Sequence, residues 1–424
     1  MGKRLGKKVM WLTAIALLVG FMSCGAAYCE EKVIKIGTLF PLTGPVALAG
    51  QRCKAAVEAA VDLINNSYPN IPVPLAAQKG LLGGRKIVLV HADHQGKPDV
   101  GKSEAERLYD QEGVFAVIGS YNSAVTKPAS LVAERRKKIF MCGCSSSAEL
   151  TKRGTRYFFR IAPTDETESI EFVNFIKWLN ETKGTNYKTF GVIYENTEFG
   201  KHAAQEAKKA IEAAGFQYVA DVAFNPGATN LNSEVQMLKG KNPDVVFGAC
   251  LGADYILWIK TMKQMSWLPK VSLNYCSGYQ DPLIAKQLGG DGDYFMGTTG
   301  YSPELAELMP AVAPVEEIYK KKINPPVPFD SDSIQEAVAM LVLAQAIEKV
   351  GSLDTEKIVD ALYANEWDSP LSLGGKVAFA PGGQNIKAMS IVTQLVGGQY
   401  KRVFPEQFAN FEPVVPMPSW DKRK

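Results

Sequence analysis

The residues with the clearest capacity for chemistry are hydroxyls that follow predicted strands. Ser123 directly precedes a predicted helix, and Ser145, Ser146 and Ser147 fill a short loop after another strand. Hydroxyls and unpaired main-chain amides at helix starts suit a carboxylate ligand. The same serines would also serve as helix caps and turn residues without any ligand. Taken alone, the residues support both interpretations.

A phosphate-binding loop is the strongest competing motif. The segment from Gly96 to Ser103 fits the pattern G-x-x-x-x-G-K-S/T, follows a predicted strand and precedes a predicted helix. Asp99, however, would place a carboxylate where the phosphate should lie, and no apolar strand ends in a convincing magnesium-binding aspartate. We therefore interpret this segment as a solvated loop and helix start.

Other candidates for catalysis or metal binding are weaker still. His91 and His94 could supply metal ligands, but nothing else clusters with them in sequence. Cys144, Cys250 and Cys276 are each predicted near the end of a strand. Their spacing in the sequence is not the short paired spacing that is typical of zinc sites. Free thiols and one Cys250 to Cys276 bridge remain alternatives. The chain contains neither a G-x-S-x-G elbow nor an H-E-x-x-H helix, so we predict no catalytic site, metal or cofactor.

The start of the chain is typical of an export signal. Four positive charges in the first eight residues precede an apolar run from Val9 to Met22, which is short for a membrane span. Small residues follow, and cleavage is expected near Ala27 or Cys29. The segment ending at Cys24 also resembles a weak lipoprotein box, so a lipid anchor there is the alternative. Either way we expect the mature protein in the periplasm or on the extracytoplasmic face.

Composition excludes several other classes. The 424 residues are 46% hydrophobic and 21% charged, which is enough apolar content to bury large cores in two or three domains. The net charge is +3, and the N-terminal cluster accounts for that excess. No basic surface remains for a nucleic acid.

The elements that position the hydroxyls follow one repeating unit. From Val33 onward, short apolar strands alternate with amphipathic helices, which is the pattern of parallel βαβ construction. Five strands are predicted between residues 33 and 161, five more between 189 and 299, and a closing strand pair within 389–404. One sheet of that width is implausible, so we expect an α/β fold of two Rossmann-like lobes. Ligands bind beyond the carboxyl ends of parallel strands, so the two lobes would share one cleft.

Several short segments stand in an order and spacing that are together specific. They are Ile36-Gly37, Pro41-Leu42-Thr43-Gly44-Pro45, Ala116-Val117-Ile118-Gly119, Pro128-Ala129-Ser130, Glu149-Leu150-Thr151-Lys152-Arg153-Gly154 and Phe159-Arg160. In this order they resemble the extracellular solute-binding proteins of branched-chain amino acid ABC transporters, the leucine/isoleucine/valine-binding family with the type I periplasmic-binding fold. The resemblance extends from about Lys32 to Val396.

The resemblance implies two lobes joined by three crossovers, near Ala162, Thr299 and Ser390. It assigns residues to a signal peptide over 1–29, a first lobe over 30–162 and 300–388, a second lobe over 163–299 and 389–405, and a C-terminal tail over 406–424.

The resemblance also implies the ligand site. In that family the ligand carboxylate is bound by a serine in the loop after the third strand, which corresponds to Ser123. It is also bound by a main-chain group and a hydroxyl in the loop after the fourth strand, which correspond to Cys144 and Ser146. The residues expected toward the amino or polar side of the ligand are Asp165, Phe199 and Tyr275. The expected pocket wall consists of Tyr121, Asn122, Cys250, Leu251 and Asp332.

Some positions depart from the family pattern. The second acid of many amino-acid binders would fall between Asn274 and Cys276, where the sequence has none. Asn122 and Asp332 stand where the leucine binder has small or apolar walls, and the family's first-lobe disulfide has no counterpart near His94. The sequence therefore favours a polar or aromatic carboxylate, or a polar amino acid, over leucine.

The leading functional hypothesis is a monomeric transport receptor. It would capture a small carboxylate-bearing solute, close its lobes and deliver the solute to the membrane permease of an ABC transporter. Two alternatives belong to other classes: a sensor subunit for a membrane receptor, and a secreted enzyme. The cleft loops offer hydroxyls and amides but no paired base and nucleophile, which favours binding over catalysis.

Overall fold

The computed structural model describes residues 33–423, except for the side chains of Cys276 and Ser277. The predicted signal peptide, with Cys24 and Cys29, lies outside the described residues. Within them, no helix combines the length and the apolar character that crossing a membrane requires.

The first lobe is built on a five-stranded parallel sheet with the order β2-β1-β3-β4-β5. Its central strands are buried almost throughout, because helices cover both faces and the strand residues are apolar. The strands are β1 (Ile34–Phe40), β2 (Ile87–Asp93), β3 (Ala116–Gly119), β4 (Ile139–Cys142) and β5 (Phe158–Arg160). The helices between them are α1 (Ala47–Asn65), α2 (Pro98–Asp110), α3 (Ser123–Arg136) and α4 (Glu149–Lys152).

The second lobe contains a seven-stranded sheet with the order β14-β13-β10-β9-β8-β6-β7. Its strands are β6 (Thr189–Glu195), β7 (Gln217–Phe224), β8 (Val245–Ala249), β9 (Val271–Asn274), β10 (Met296–Thr299), β13 (Ile391–Val396) and β14 (Gln399–Phe404). The helices are α5 (Asp165–Thr182), α6 (Glu198–Ala213), α7 (Asn232–Lys241), α8 (Gly252–Gln264), α9 (Cys276–Tyr279) and α10 (Pro282–Leu288). The last two strands are antiparallel and turn at Gly397-Gly398, where both glycines have positive φ, and they form the closing strand pair that the sequence predicts.

The late helices return to the first lobe. They are α11 (Val312–Tyr319), α12 (Ser331–Val350) and α13 (Thr355–Ala364), and α12 packs against α1 and β4. A 3₁₀ turn over Pro303–Leu308 precedes α11 and is separated from it by Pro310, which has no amide hydrogen to continue a helix. A small antiparallel pair, β11 (Glu366–Asp368) with β12 (Lys376–Ala378), completes this part.

The chain passes between the lobes three times: after β5, after β10 and before β13. The predicted fold class, two α/β lobes with parallel sheets and three crossovers, is therefore confirmed. Gln384 stabilises the first crossing, since its side chain accepts a hydrogen bond from Arg160 (2.8 Å) and donates one to the Ala162 carbonyl (2.9 Å).

Candidate ligand-binding site

A small cavity of about 60 Å³ lies between the lobes, at the carboxyl ends of both parallel sheets. Ligand pockets for drug-sized molecules usually exceed about 300 Å³, so this one fits only a small solute. Most of its lining residues are buried. The first lobe contributes Gly96, Tyr121, Asn122, Ser123, Ala124, Cys144 and Ser146, and the second contributes Glu195, Thr197, Phe199 and Leu251.

Two hydroxyl-bearing residues form the centre of the first-lobe wall. Ser123 is the first residue of α3, and its Oγ accepts a hydrogen bond from the Ser147 amide at 3.4 Å. Ser146 lies beside it on the loop after β4, and both residues are buried. The first amides of a helix have no partner within the helix and favour an anion. This wall can therefore bind a carboxylate through neutral donors.

A chain of buried hydroxyls joins the two loops of this wall. Thr126 Oγ1 lies 2.8 Å from Ser120 Oγ and 2.6 Å from Ser145 Oγ. Ser145 Oγ in turn donates to the Tyr121 carbonyl at 3.0 Å. Because each hydroxyl uses its hydrogen-bonding capacity on the neighbouring loop, the wall is fixed before any ligand arrives.

Arg160 supports the same wall from behind. This fully buried side chain donates to the carbonyl oxygens of Ser145 (3.0 Å) and Ser147 (2.6 Å) and to the Thr151 hydroxyl (2.9 Å). Burial lowers the pKa of the guanidinium to about 10, so it stays charged at neutral pH. In the sequence Arg160 is visible only as part of a family segment, and its supporting role depends on contacts that no pattern shows.

The two histidines near the end of β2 have structural roles. His94 is buried, its Nδ1 accepts from the Gly96 amide (3.0 Å), and its Nε2 therefore donates to the Ser120 carbonyl (2.8 Å). Burial lowers its pKa to about 4, which keeps the ring neutral. His91 contacts Thr38 and Glu58 instead. In residues 33–423, no three His, Cys, Asp or Glu side chains are grouped to hold a metal ion.

The second-lobe wall is built around the start of α6. Thr197 caps this helix by accepting from the Gly200 amide (3.3 Å), and its hydroxyl donates to Glu195 Oε1 (2.8 Å). A Cβ on Gly200 would lie 2.0 Å from the Glu195 carbonyl oxygen, so only glycine lets α6 begin this close to the end of β6. This close approach brings the Phe199 ring and Glu195 to the same cavity.

Glu195 is an acid that the sequence analysis missed. It is 3% exposed, and burial raises its pKa to about 7, although the hydrogen bond from Thr197 opposes that shift. The negative charge of Asp254 on α8 raises the pKa further. The only signal in the sequence is its position at the end of the first strand of the second lobe, directly before a cleft loop.

Seven of the eleven predicted site residues line the cavity: Tyr121, Asn122, Ser123, Cys144, Ser146, Phe199 and Leu251. Within the part of the chain that the structure describes, the buried Oδ1 atom of Asn122 has no hydrogen-bond partner, and the Cys144 thiol donates to Glu336 Oε1 at 3.3 Å.

The other four predicted residues do not line it. Asp165 lies behind the Ser146 loop, where its Oδ1 accepts from the Ala148 amide (3.0 Å) and burial raises its pKa to about 8. Asp332 is buried in the first turn of α12, where desolvation and Asp330 hold its pKa well above the usual range.

Tyr275 and Cys250 need correction for a common reason. Tyr275 packs against Phe172 and Phe247 and shares a 2.6 Å hydrogen bond with Ser169, within the core of the second lobe. Cys250 is a buried free thiol in the cluster that contains Trp258. Side chains at a strand end alternate between the faces of the sheet, and these two turn under the covering helices instead of into the cleft.

Ion pairs join the lobes across the cleft. Arg52 on α1 makes a bidentate contact with Asp281, the N-cap of α10, and its Nε lies 3.0 Å from Asp330 in its own lobe. Lys127 on α3 contacts Glu198 on α6 at 2.8 Å. The first pair is almost fully buried, whereas the second is partly exposed. Both pairs require closed lobes.

Two α/β lobes that are joined by three crossovers and enclose a small polar cavity define a solute-binding protein of the periplasmic type. The sequence model of the periplasmic binding protein family matches residues 33–399, and the chain belongs to this family.

Individual relatives extend the comparison. The Leu/Ile/Val-binding protein homolog 8 of Brucella abortus is 27% identical, over 89% of this chain and 91% of the relative. The branched-chain amino acid substrate-binding protein LivJ of Streptococcus pneumoniae, solved with isoleucine, has a TM-score of 0.73 at 19% identity, over 88% of this chain and all (100%) of the other. A solute-binding protein of an ABC transporter from R. palustris, solved with benzoate, has a TM-score of 0.73 at 18% identity, over 88% and 95%. At these identities the two solved structures establish the fold.

Proposed function

We propose that this protein is the extracytoplasmic receptor of an ABC importer, which binds a small carboxylate-bearing solute between its lobes and delivers it to the membrane permease. The solute class is an amino acid or a related organic or aromatic acid. The observation that carries the proposal is the cavity between the lobes whose first-lobe wall presents Ser123 and Ser146 beside the N-terminus of α3.

The relatives agree with this class of ligand. Isoleucine and benzoate, the ligands named for two structural neighbours, differ in size and charge but share a carboxylate. A wall of neutral donors can serve both, because hydrogen bonds to a carboxylate do not depend on the rest of the molecule.

Closure couples ligand capture to delivery. Removing water from the cavity strengthens each hydrogen bond to the ligand, because the local dielectric constant falls. A ligand that binds only the closed form shifts the population toward the closed form. A permease that recognises the closed form then binds mainly the ligand-loaded protein.

Titration calorimetry of the mature protein tests the ligand class directly. The panel should contain the standard amino acids, aromatic acids and small dicarboxylates, with uncharged amides of the same acids as controls. We expect binding by at least one carboxylate and none by its amide. Equal binding of acid and amide, or no binding by any carboxylate, would contradict the proposal.

Small-angle scattering tests the closure step. Saturation with the ligand found by calorimetry should reduce the radius of gyration of the wild-type protein. An unchanged radius would contradict hinge closure while leaving the carboxylate site itself intact.

A further inference from the structure

We propose that Cys53 and Cys144 form a disulfide in the exported protein, by exchange with a disulfide of another molecule. The bond would tie α1 to the loop after β4, which carries part of the hydroxyl wall of the cavity. It would differ from the family's first-lobe disulfide, which has no counterpart near His94. The inference goes beyond the proposed function, because it does not depend on which solute binds.

The two sulfurs are in direct contact within the first lobe. In the structure both are free thiols, and a hydrogen bond joins their side chains. Cys53 on α1 is fully buried, whereas Cys144 lines the cavity and is 7% exposed. Both belong to the same hydrophobic cluster. Because α1 and the loop after β4 are parts of one lobe, the contact does not require the lobes to be closed.

Close packing against α12 fixes the position of Cys144. A Cβ on Gly143 would lie 2.5 Å from Glu336 Cδ and 2.6 Å from the Glu336 main-chain nitrogen, so only glycine lets the loop approach this helix. The Cys144 thiol donates to Glu336 Oε1 at 3.3 Å. Since Cys144 uses its one proton in that bond, the Cys53 thiol is the donor to the Cys144 sulfur. The neighbouring elements therefore direct the two sulfurs toward each other.

The surroundings favour an uncharged disulfide over ionised thiols. Burial raises the pKa of Cys53 to about 12 and holds the pKa of Cys144 well above its usual range. Glu336, Asp330 and Asp332 oppose a thiolate at Cys53 further. A disulfide carries no charge at this place, and the same acids would repel the thiolate of an external reductant. Disulfides persist in the periplasm, the compartment for which this protein family is named.

The reaction balances as a thiol–disulfide exchange. Because burial opposes ionisation, we expect the exchange while the chain folds, before both thiols are enclosed. One cysteine loses its proton to water, and its sulfur attacks a disulfide R–S–S–R, which gives a mixed disulfide and R–S⁻. The second cysteine, also deprotonated, attacks the protein sulfur of the mixed disulfide and releases another R–S⁻. Two protein thiols are oxidised, and one external disulfide is reduced to two thiols.

Disulfide mapping after refolding tests the inference. The mature protein is unfolded in urea with a reductant and then refolded, after the reductant is removed, in a buffer of glutathione disulfide and glutathione. Remaining thiols are blocked with iodoacetamide, and the unreduced protein is digested for mass spectrometry. We expect one cross-linked peptide pair that contains Cys53 and Cys144, and its loss when a reductant is added before digestion.

Cysteine variants provide the matched comparison. Cys53→Ala and Cys144→Ala should both lose this cross-link. Cys142→Ala should retain it, because Cys142 lies two residues before Cys144 but packs in a different hydrophobic cluster. A reductant should lower the urea midpoint of the wild type and of Cys142→Ala more than that of Cys53→Ala, since a disulfide restricts the unfolded chain. Comparing each protein with and without reductant separates the bond from the packing lost in the variant.

Two results would overturn the proposal. Cys53 and Cys144 that are both blocked by iodoacetamide after refolding would show that the thiols stay free in an oxidising buffer. A cross-link from either cysteine to Cys142, Cys250 or Cys276 instead would assign the pairing differently. Neither result bears on solute binding, which calorimetry measures separately, so the failure of this inference is distinguishable from failure of the proposed function.

Discussion

The two walls of the cavity are built in opposite ways. The first-lobe wall presents neutral hydroxyls and amides, and the loops that carry them are joined by hydrogen bonds among Ser120, Thr126 and Ser145 and by Arg160. The second-lobe wall consists of a buried acid and an aromatic ring at the start of α6, and it meets the first wall only when the lobes close. One wall is fixed within its own lobe, and the other reaches the ligand through closure.

This difference suggests a division of labour. A preformed anion site costs little reorganisation on binding, so the open first lobe can capture any suitable carboxylate. The second wall then adds contacts that depend on the rest of the molecule. General capture would belong to the first lobe and discrimination to the second, and the predictions below test that division.

Removing the support of the first wall should have the largest effect. Arg160→Met would leave the buried carbonyl oxygens of Ser145 and Ser147 without their donor, and at about 1 to 3 kcal/mol for each such group the protein should lose about 2 kcal/mol or more of unfolding free energy. Urea unfolding measures this loss. The matched control is Arg156→Met, since Arg156 forms an exposed pair with Asp360 and should contribute under about 1 kcal/mol. Equal stability of both variants would mean that the wall does not depend on Arg160.

Removing a hydrogen-bond donor of the first wall should have the next largest effect. Ser123→Ala is expected to weaken binding of amino acids and of the same acids without their amino group (des-amino acids) alike, by about tenfold to a hundredfold, because both ligands present the same carboxylate. Ser130→Ala is the control, a buried serine on the same helix that lies outside the cavity. If Ser123→Ala binds as tightly as the wild type, the carboxylate is bound elsewhere.

The predictable part of the molecule follows from local chemistry. The central strands of both sheets are short apolar runs that alternate with helices, so the fold class could be predicted from the sequence. Ser123 and Ser146 could be identified as candidate site residues because a helix start and a serine-rich loop are local features of the sequence.

The second wall could not be predicted in the same way. Glu195 and Tyr275 both stand at strand ends of the second lobe, but the acid lines the cavity and the ring packs under the helices. Which face a strand-end side chain takes depends on packing, and Tyr275 packs against Phe172 and Ser169 of α5, which are distant from it in sequence. The resemblance to a family placed the acid after β9, and the search at that position did not lead to the acid at the end of β6.

Weakening closure should have an intermediate effect that depends on burial. Asp281→Asn removes one charge from the buried pair with Arg52 and is expected to lower affinity about fivefold to tenfold, or about 1 kcal/mol. Glu198→Gln removes the exposed pair with Lys127 and should change affinity less than about threefold. Scattering curves for ligand-free Asp281→Asn should show a larger radius than the wild type. Equal effects of the two variants would show that burial of the pair does not matter for closure.

The smallest expected effect is a pH dependence confined to the second wall. Burial raises the pKa of Glu195 to about 7 in the ligand-free protein, and a bound cation would favour its ionised form. Since ionisation must precede or accompany cation binding, amino-acid affinity should rise severalfold between about pH 6 and about pH 8, with proton release at neutral pH. Des-amino acids should show a flat or falling affinity over the same range, because the serine hydroxyls of the first wall do not titrate.

Other titratable groups could also cause a pH dependence. Asp254 and the Cys250 thiol face Glu195, and Asp165 and Glu336 also have raised pKa values, so the measurement is repeated with Glu195→Gln. Loss of the slope in that variant assigns the pH dependence to Glu195, whereas an unchanged slope would assign it to the other buried acids and remove the electrostatic contrast between the two walls.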